Sequence, residues 1–158
     1  MKITFLWVGK TSEQWLQEGV DEYLKRLKHY ISLSIDVIPS PKNMPKNDVI
    51  KQKEKEGDAI LDRIAPSDDV YLLDERGQMY TSEGLAEFLQ KKMTVSVRNL
   101  VIVAGGPFGF SEKVYQRANG LISFSKMTFS HQMIRLLLCE QVYRSFTILR
   151  GESYHHSG

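Results

Sequence analysis

Cysteine, long apolar runs and a strong excess of one charge are all scarce or missing in this chain of 158 residues. Its single cysteine, Cys139, cannot form an internal disulfide, and the apolar helical stretch around it predicts a buried, inert thiol. No apolar run approaches the roughly 20 residues that a membrane-spanning helix needs. Residues 1–10 lack the apolar core and the cleavage signal of an export sequence. We therefore expect a soluble, cytoplasmic protein.

The formal net charge is only +2, which excludes a protein held on nucleic acid by its overall charge. RNA binding would have to use local basic clusters. One is predicted at the end of the first helix and comprises Lys25, Arg26 and Lys28. A second set of lysines lies further along the chain: Lys42, Lys46, Lys51, Lys53 and Lys55. Acidic residues alternate with the second set, which favours a solvated helix face of mixed charge. The charge pattern permits RNA binding without demonstrating it.

Two common nucleotide-binding motifs are also missing. A Rossmann fold carries G-x-G-x-x-G after its first strand, whereas the first predicted turn here is Val8-Gly9-Lys10-Thr11. The chain contains no G-x-x-x-x-G-K-[ST] phosphate loop either. The glycine-rich segment of this chain, Gly105–Gly109, comes instead after the fourth predicted strand. A conventional dinucleotide-binding fold and a P-loop nucleotidase are therefore excluded.

The order of apolar segments predicts an α/β fold in one domain spanning residues 1–158. Strands are predicted at 2–8, 33–38, 69–74, 99–104 and 121–124, and helices at 11–30, from 48 to about 64, at 81–93, from about 111, and at 130–145. A capping box of Thr11 and Gln14 is predicted to open the first helix. Because the strands read apolar on both faces and alternate with helices, they indicate a parallel sheet with helices on both faces.

Three segments near the carboxyl edge of this sheet are candidates for ligand binding. Gly105–Gly109 would let backbone amides approach a ligand, although a tight strand-to-helix turn uses the same residues. Leu72–Gly77 ends the third strand, and a simple turn at Gly77 is the alternative there. Phe124–His131 fits neither a helical nor a strand period, which suits an adenine slot or ordinary core packing.

The C-terminal tail is a fourth candidate. Arg144 and Arg150 could hold phosphate, Tyr154 could stack on a base, and a terminal histidine could accept or relay a proton. One alternative is a disordered end, since terminal residues are often disordered. The other is the remnant of an affinity tag, since such a remnant can leave paired histidines near a C-terminus.

The segments LLDERG, IVAGGPFGF, ISFSKMTFSHQMIRLLLCEQVYR and GESYHH, in this order along essentially the full chain, resemble the RlmH family of the SPOUT superfamily of methyltransferases. The resemblance implies a SPOUT-type parallel sheet with helices on both faces, a C-terminal trefoil knot, a homodimer and no metal ion. It also implies that S-adenosylmethionine is bound by Leu73, Gly105, Phe124, Ser125, Lys126, Met127, Thr128 and Phe129.

The same resemblance implies methyl transfer to N3 of a pseudouridine in large-subunit ribosomal RNA of the assembled ribosome. His155 would serve as base or orienting group, Arg144 would hold the base or phosphate, and Tyr154 would stack or hydrogen bond. In a dimer these groups could serve the neighbouring subunit's cofactor. Two alternatives stay open: a non-catalytic dimeric module that binds ribosomes or RNA, and a SPOUT enzyme that acts on transfer RNA, which would ordinarily carry a further RNA-binding domain.

Overall fold

A sheet of five strands organises the structure, a computed structural model that describes residues 1–45 and 47–156. Lys46, one of the lysines considered above, thus lies outside the described residues. The strands are β1 (Lys2–Val8), β2 (Ser32–Ile38), β3 (Asp69–Met79), β4 (Asn99–Ala104) and β5 (Gly120–Ser123). The helices between and after them are α1 (Gln14–Leu27), α2 (Val49–Leu61), α3 (Ser82–Thr94), α4 (Glu112–Arg117) and α5 (Met133–Leu149).

The strands are parallel and lie in the order β2-β1-β4-β3-β5. Alternate side chains of β4 point to opposite faces. Leu100 and Ile102 join a core with α1, α3 and α5, whereas Val101 and Val103 join a second core with α2 and α4. The predicted parallel sheet with helices on both faces is therefore confirmed.

The start of α1 differs from the prediction. The helix begins at Gln14 after Glu13, whose side chain makes no capping hydrogen bond. Thr11 caps nothing, because its Oγ1 accepts a hydrogen bond of 3.0 Å from Arg135 of α5. The predicted capping box is wrong, since a partner 124 residues away in the chain occupies the threonine hydroxyl.

Strand β3 runs five residues beyond its predicted end and contains no turn at Gly77. Leu73 and Gln78 both pair with Ile122, so residues 74–77 bulge out of the ladder. A Cβ at Gly77 would stand 2.6 Å from the backbone of Ile122. Glycine is present because two strands approach closely there, and the turn interpretation is wrong.

Helix α5 also begins later and ends later than predicted, at Met133 and Leu149. Ser130, the predicted first residue, instead accepts a hydrogen bond of 3.0 Å from the Met133 amide with its Oγ. Cys139 is fully buried in this helix, and burial raises the pKa of its thiol to about 12, as expected for an inert thiol. Among the described residues, no helix has the length and apolar character to span a bilayer. The trefoil knot stays a prediction.

Candidate functional site

A cavity of about 530 Å³ opens where β3, β4 and β5 end. Its wall combines the bulge of β3, the glycine loop after β4 and the segment after β5. Lys53 of α2 and the start of α5 complete the lining. Parallel strands bring their carboxyl ends to one edge of a sheet, so segments far apart in sequence meet there. The three segments singled out near this edge therefore share one site.

Most of the predicted cofactor residues line this cavity. They are Leu73, Gly105, Phe124, Ser125, Met127, Thr128 and Phe129. Lys126, the remaining member of that set, has an exposed side chain and is not part of the lining. Met127 is 75% exposed, so the segment from Phe124 to Phe129 forms the outer rim of the cavity as well as its wall.

The glycine loop is pressed tightly against its support. A Cβ at Gly105 would stand 2.9 Å from the ring of Phe110, and one at Gly106 would stand 2.7 Å from Oε2 of Glu56. Glu56 is buried on α2, and its Oε2 has no hydrogen-bond partner among the described residues. Burial raises the pKa of this carboxyl, against a smaller lowering effect of its hydrogen bond from Gln52. Glycine thus lets the loop backbone pack directly against Phe110 and Glu56, where a side chain would have no room.

A charged cluster on the β3 bulge stiffens the opposite wall. Asp74 accepts hydrogen bonds from Arg76 at 3.1 and 3.2 Å and from the hydroxyl of Tyr115. Burial works to raise the pKa of Asp74, but these bonds outweigh it and the pKa is lowered. Thr128 donates to Glu75 at 2.9 Å, which ties the bulge to the segment after β5. Sequence reasoning missed Tyr115, because only the fold brings α4 to this wall.

The third predicted segment ends at His131, and sequence reasoning assigned no role to Arg135, which follows four residues later. His131 lines the cavity and is partly buried. Arg135 is fully buried and donates to the carbonyl of Val8 at 2.7 Å. His131 lies in the turn before α5, and Arg135 lies in the first turn of that helix. The spacing H-x-x-x-R was visible in the sequence, but the burial of the arginine was not.

The predicted tail residues meet in a cluster on α5. Arg144 donates to Glu140 and lies 4.8 Å from the ring centre of Tyr154, whose hydroxyl donates to Glu140 at 3.1 Å. His155 Nδ1 lies 3.3 Å from Arg144 Nη1, and its Nε2 lies 2.8 Å from Oε1 of Glu83. The tail is thus held against α3 and α5 at Tyr154 and His155.

This tail cluster and the cavity are separate within one chain. No tail residue that the structure describes lines the cavity of about 530 Å³. A smaller cavity of about 370 Å³ lies between α3 and α5, and it shares Phe124 and Phe129 with the larger one. Its lining includes Ser82 and Gln141, which bond to each other at 3.0 Å. Gln141 also bonds to Glu140 of the tail cluster, so polar contacts connect the cluster with the smaller cavity.

Comparison with known proteins shows which family this chain belongs to. The model of a family described as "Predicted SPOUT methyltransferase" matches residues 1–155. Ribosomal RNA large subunit methyltransferase H of Flavobacterium johnsoniae is 50% identical over 156 residues, which cover 99% of this chain and 99% of that protein. The protein of the same name from Parabacteroides distasonis has the same identity and coverage. That from Cytophaga hutchinsonii is 48% identical over 157 residues, covering 99% of this chain and all of the relative.

A solved structure supports the fold. A probable methylase family protein from Haemophilus influenzae Rd KW20 superimposes with a TM-score of 0.54 at 10% identity, covering 94% of this chain and 66% of that chain. At such low identity the likeness concerns the fold alone. The family model and the full-length relatives carry the assignment: the chain belongs to the SPOUT methyltransferase family, and within it to the RlmH group.

Proposed function

We propose that this protein uses S-adenosylmethionine to methylate N3 of a pseudouridine in the large-subunit ribosomal RNA of assembled, cytoplasmic ribosomes. The observation that carries the proposal is the identity of 48–50% over 99% of the chain to proteins named ribosomal RNA large subunit methyltransferase H. The convergence of Leu73, Gly105 and residues 124–129 on one cavity supports it.

The cavity suits an adenosine cofactor. Its volume of about 530 Å³ lies within the roughly 300–1,000 Å³ typical of ligand sites. Leu73, Phe124 and Phe129 offer apolar surface for an adenine ring. The backbone at Gly105 and Gly106 forms a cradle that packs on Phe110 and Glu56 with no room for a Cβ, so a larger residue would displace the cradle. S-adenosylmethionine would supply an already activated methyl group, so the chain's own task is to bind and orient the two reactants.

The tail cluster is proposed to hold the target nucleotide. The guanidinium of Arg144 suits a base edge or a phosphate, and the ring of Tyr154 suits stacking. His155 fits the orienting role better than that of a base. An arginine only donates, so Arg144 donates to Nδ1, and the ring proton on Nε2 then points to Glu83. Both ring nitrogens are therefore engaged.

The proposed enzyme acts as a homodimer. A tail that does not line its own cavity can contribute to catalysis by reaching the cavity of a second copy, in a closed twofold arrangement. Recognition of the assembled ribosome, rather than of free RNA, agrees with a net charge of only +2.

The activity is tested with labelled S-adenosylmethionine and ribosomes that lack this modification. We expect transfer to whole ribosomes, poor transfer to naked ribosomal RNA, and a product with the label on N3 of pseudouridine. Efficient transfer to free transfer RNA would establish the competing substrate. Tight ribosome binding without any transfer would identify the non-catalytic binding module instead.

A further inference from the structure

We propose that His131 accepts the N3 proton in the cavity, and that Arg135 keeps its imidazole ready to do so. This inference rests on the proposed function, which requires one proton to leave the target base. It adds a catalytic residue, His131, and a positioning residue, Arg135, that acts through it.

The first observation is the location of His131. It is the one histidine among the described residues that lines the large cavity, and it lies two residues beyond the rim segment that ends at Phe129. No hydrogen bond to its ring is formed by any residue that the structure describes, so a ring nitrogen is available to a ligand. The ring of His155, by contrast, is held on both sides by Arg144 and Glu83.

The second observation is the unusual setting of Arg135. Its guanidinium is fully buried, stacks 5.3 Å from the ring centre of Trp7, and donates to the Val8 carbonyl and the Thr11 hydroxyl. Both partners are neutral, and its Nε has no partner among the described residues. A buried cation without a carboxylate keeps its field, because neither water nor a counter-ion screens it.

This field acts on His131, which lies four residues earlier in the turn before α5. Burial lowers the pKa of His131, and the charge of Arg135 lowers it further. Even the pKa of Arg135 itself is lowered by burial, to about 10, which leaves it charged at neutral pH. A histidine with a lowered pKa is a neutral imidazole at neutral pH, and the neutral form is the one that can accept a proton.

The other titratable groups of the cavity lining do not reverse this effect. Asp74 is already bonded by Arg76 and Tyr115, and Glu75 accepts from Thr128. The remaining titratable group in the lining is Lys53, which is also cationic. Arg135 is the one charged group among the described residues that shifts the pKa of His131, and it lowers that pKa.

The proposed step conserves atoms and charge. N3 forms a bond to the methyl carbon while the carbon–sulfur bond breaks, and the electron pair of that bond stays on the sulfur, which becomes a neutral thioether. The proton of N3 passes to the free ring nitrogen of His131, giving an imidazolium. Arg135 destabilises that imidazolium, which favours release of the proton to water and restores the neutral ring.

The electrostatic part is tested by proton NMR titration of the histidine rings in the protein without cofactor. The His131 signal is assigned with His131→Asn. We expect His131 to titrate below the ordinary histidine pKa of 6.5, and Arg135→Met to move its midpoint upward. Arg135→Lys keeps the charge and should preserve the low midpoint. This second variant still tests the proposal if Arg135→Met does not fold. Titration of His131 at or above pH 6.5 would overturn the proposal.

The chemical part is tested by comparing binding and turnover. His131→Asn should bind S-adenosylmethionine within about threefold of the unmodified protein, yet lose roughly 100-fold or more in the rate of transfer to ribosomes, as removal of a general base does. The unmodified rate should rise with pH through the NMR midpoint of His131, and the variant should lack this rise. His29→Gln is the matched control and should keep the full rate. Full turnover by His131→Asn overturns this inference alone, whereas failure of the unmodified protein to bind S-adenosylmethionine overturns the proposed function with it.

Discussion

The imidazole Nε2 of His155 lies 2.8 Å from the carboxylate of Glu83, which docks the C-terminal tail on the first turn of α3. On the other side of the ring, Arg144 of α5 faces Nδ1. The imidazole thus bridges two helices that pack against each other. A flexible chain end is thereby held in one place, with Tyr154 between Arg144 and Tyr23.

Glu83→Ala should release the tail. The hydrogen bond with His155 is the main cause that lowers the pKa of Glu83. A lowered carboxyl pKa means that this contact stabilises docking above the ordinary pKa of glutamate and is lost as the pH falls through the lowered value. At neutral pH we expect severalfold faster proteolytic cleavage within residues 150–156 in the variant than in the unmodified protein. Acidification should speed this cleavage in the unmodified protein as well. Glu87→Ala, an exposed change one turn later on α3, is the control, and equal cleavage rates in the two variants would contradict this role.

A subunit-mixing experiment tests whether the tail works on the partner's cavity. Arg144→Ala removes the guanidinium of the tail cluster but keeps the cavity, and Gly105→Val distorts the cavity wall by a clash with Phe110 but keeps the tail. If the tail acts across the dimer, random co-assembly should restore about a quarter of normal activity, because half of the dimers then hold one complete site of two. If it acts within its own chain, the mixture should remain as inactive as either variant alone.

Gly106→Ala should weaken cofactor binding while the protein still folds. The added Cβ would stand 2.7 Å from Oε2 of Glu56, so the loop must move away from α2 and into the cavity. We expect a loss of affinity of tenfold or more by calorimetry, about 1.4 kcal/mol. Combining Glu56→Asp with Gly106→Ala should restore part of the lost affinity, because the shorter side chain leaves room for the added Cβ. Gly151→Ala, which strains a backbone of φ 67° outside the cavity lining, should leave the affinity unchanged.

Glu56→Gln should increase the free energy of unfolding at neutral pH. Burial raises the pKa of Glu56 above its ordinary value of 4.5. The neutral carboxyl is therefore favoured in the folded protein, and stability is full below pH 4.5 and is lost as the pH rises through the raised value. The advantage of glutamine should disappear near pH 4 in urea unfolding experiments. Glu54→Gln, an exposed change on the same helix, should show little of this dependence.

The sheet and its ligand edge were predictable because they depend on local patterns. The apolar runs of β1 and β4 mark strands buried on both faces, and parallel strands that alternate with helices must place their carboxyl ends together. The segment Phe124–Phe129 was recognisable because it fits no regular period. These features lie within short windows of sequence.

The remaining features depend on contacts between distant segments. The local sequence predicts a helix cap at Thr11, but in the fold its hydroxyl accepts a hydrogen bond from Arg135. The local sequence also permits a turn at Gly77, but in the fold the backbone of Ile122 lies close to it. Likewise, nothing in the local sequence indicates that Arg135 is buried without a carboxylate. Such contacts follow from the packed fold, so the electrostatics of the cavity became visible only in three dimensions.

Titration calorimetry with S-adenosylmethionine, at two temperatures, tests the central claim most directly. We predict saturable binding with one site per chain, and strong weakening by Gly105→Val, whose side chain would clash with Phe110 and displace the glycine cradle. Folded protein that gives no saturable signal at either temperature, or Gly105→Val protein that binds as well as the unmodified protein, would contradict the assignment of this cavity.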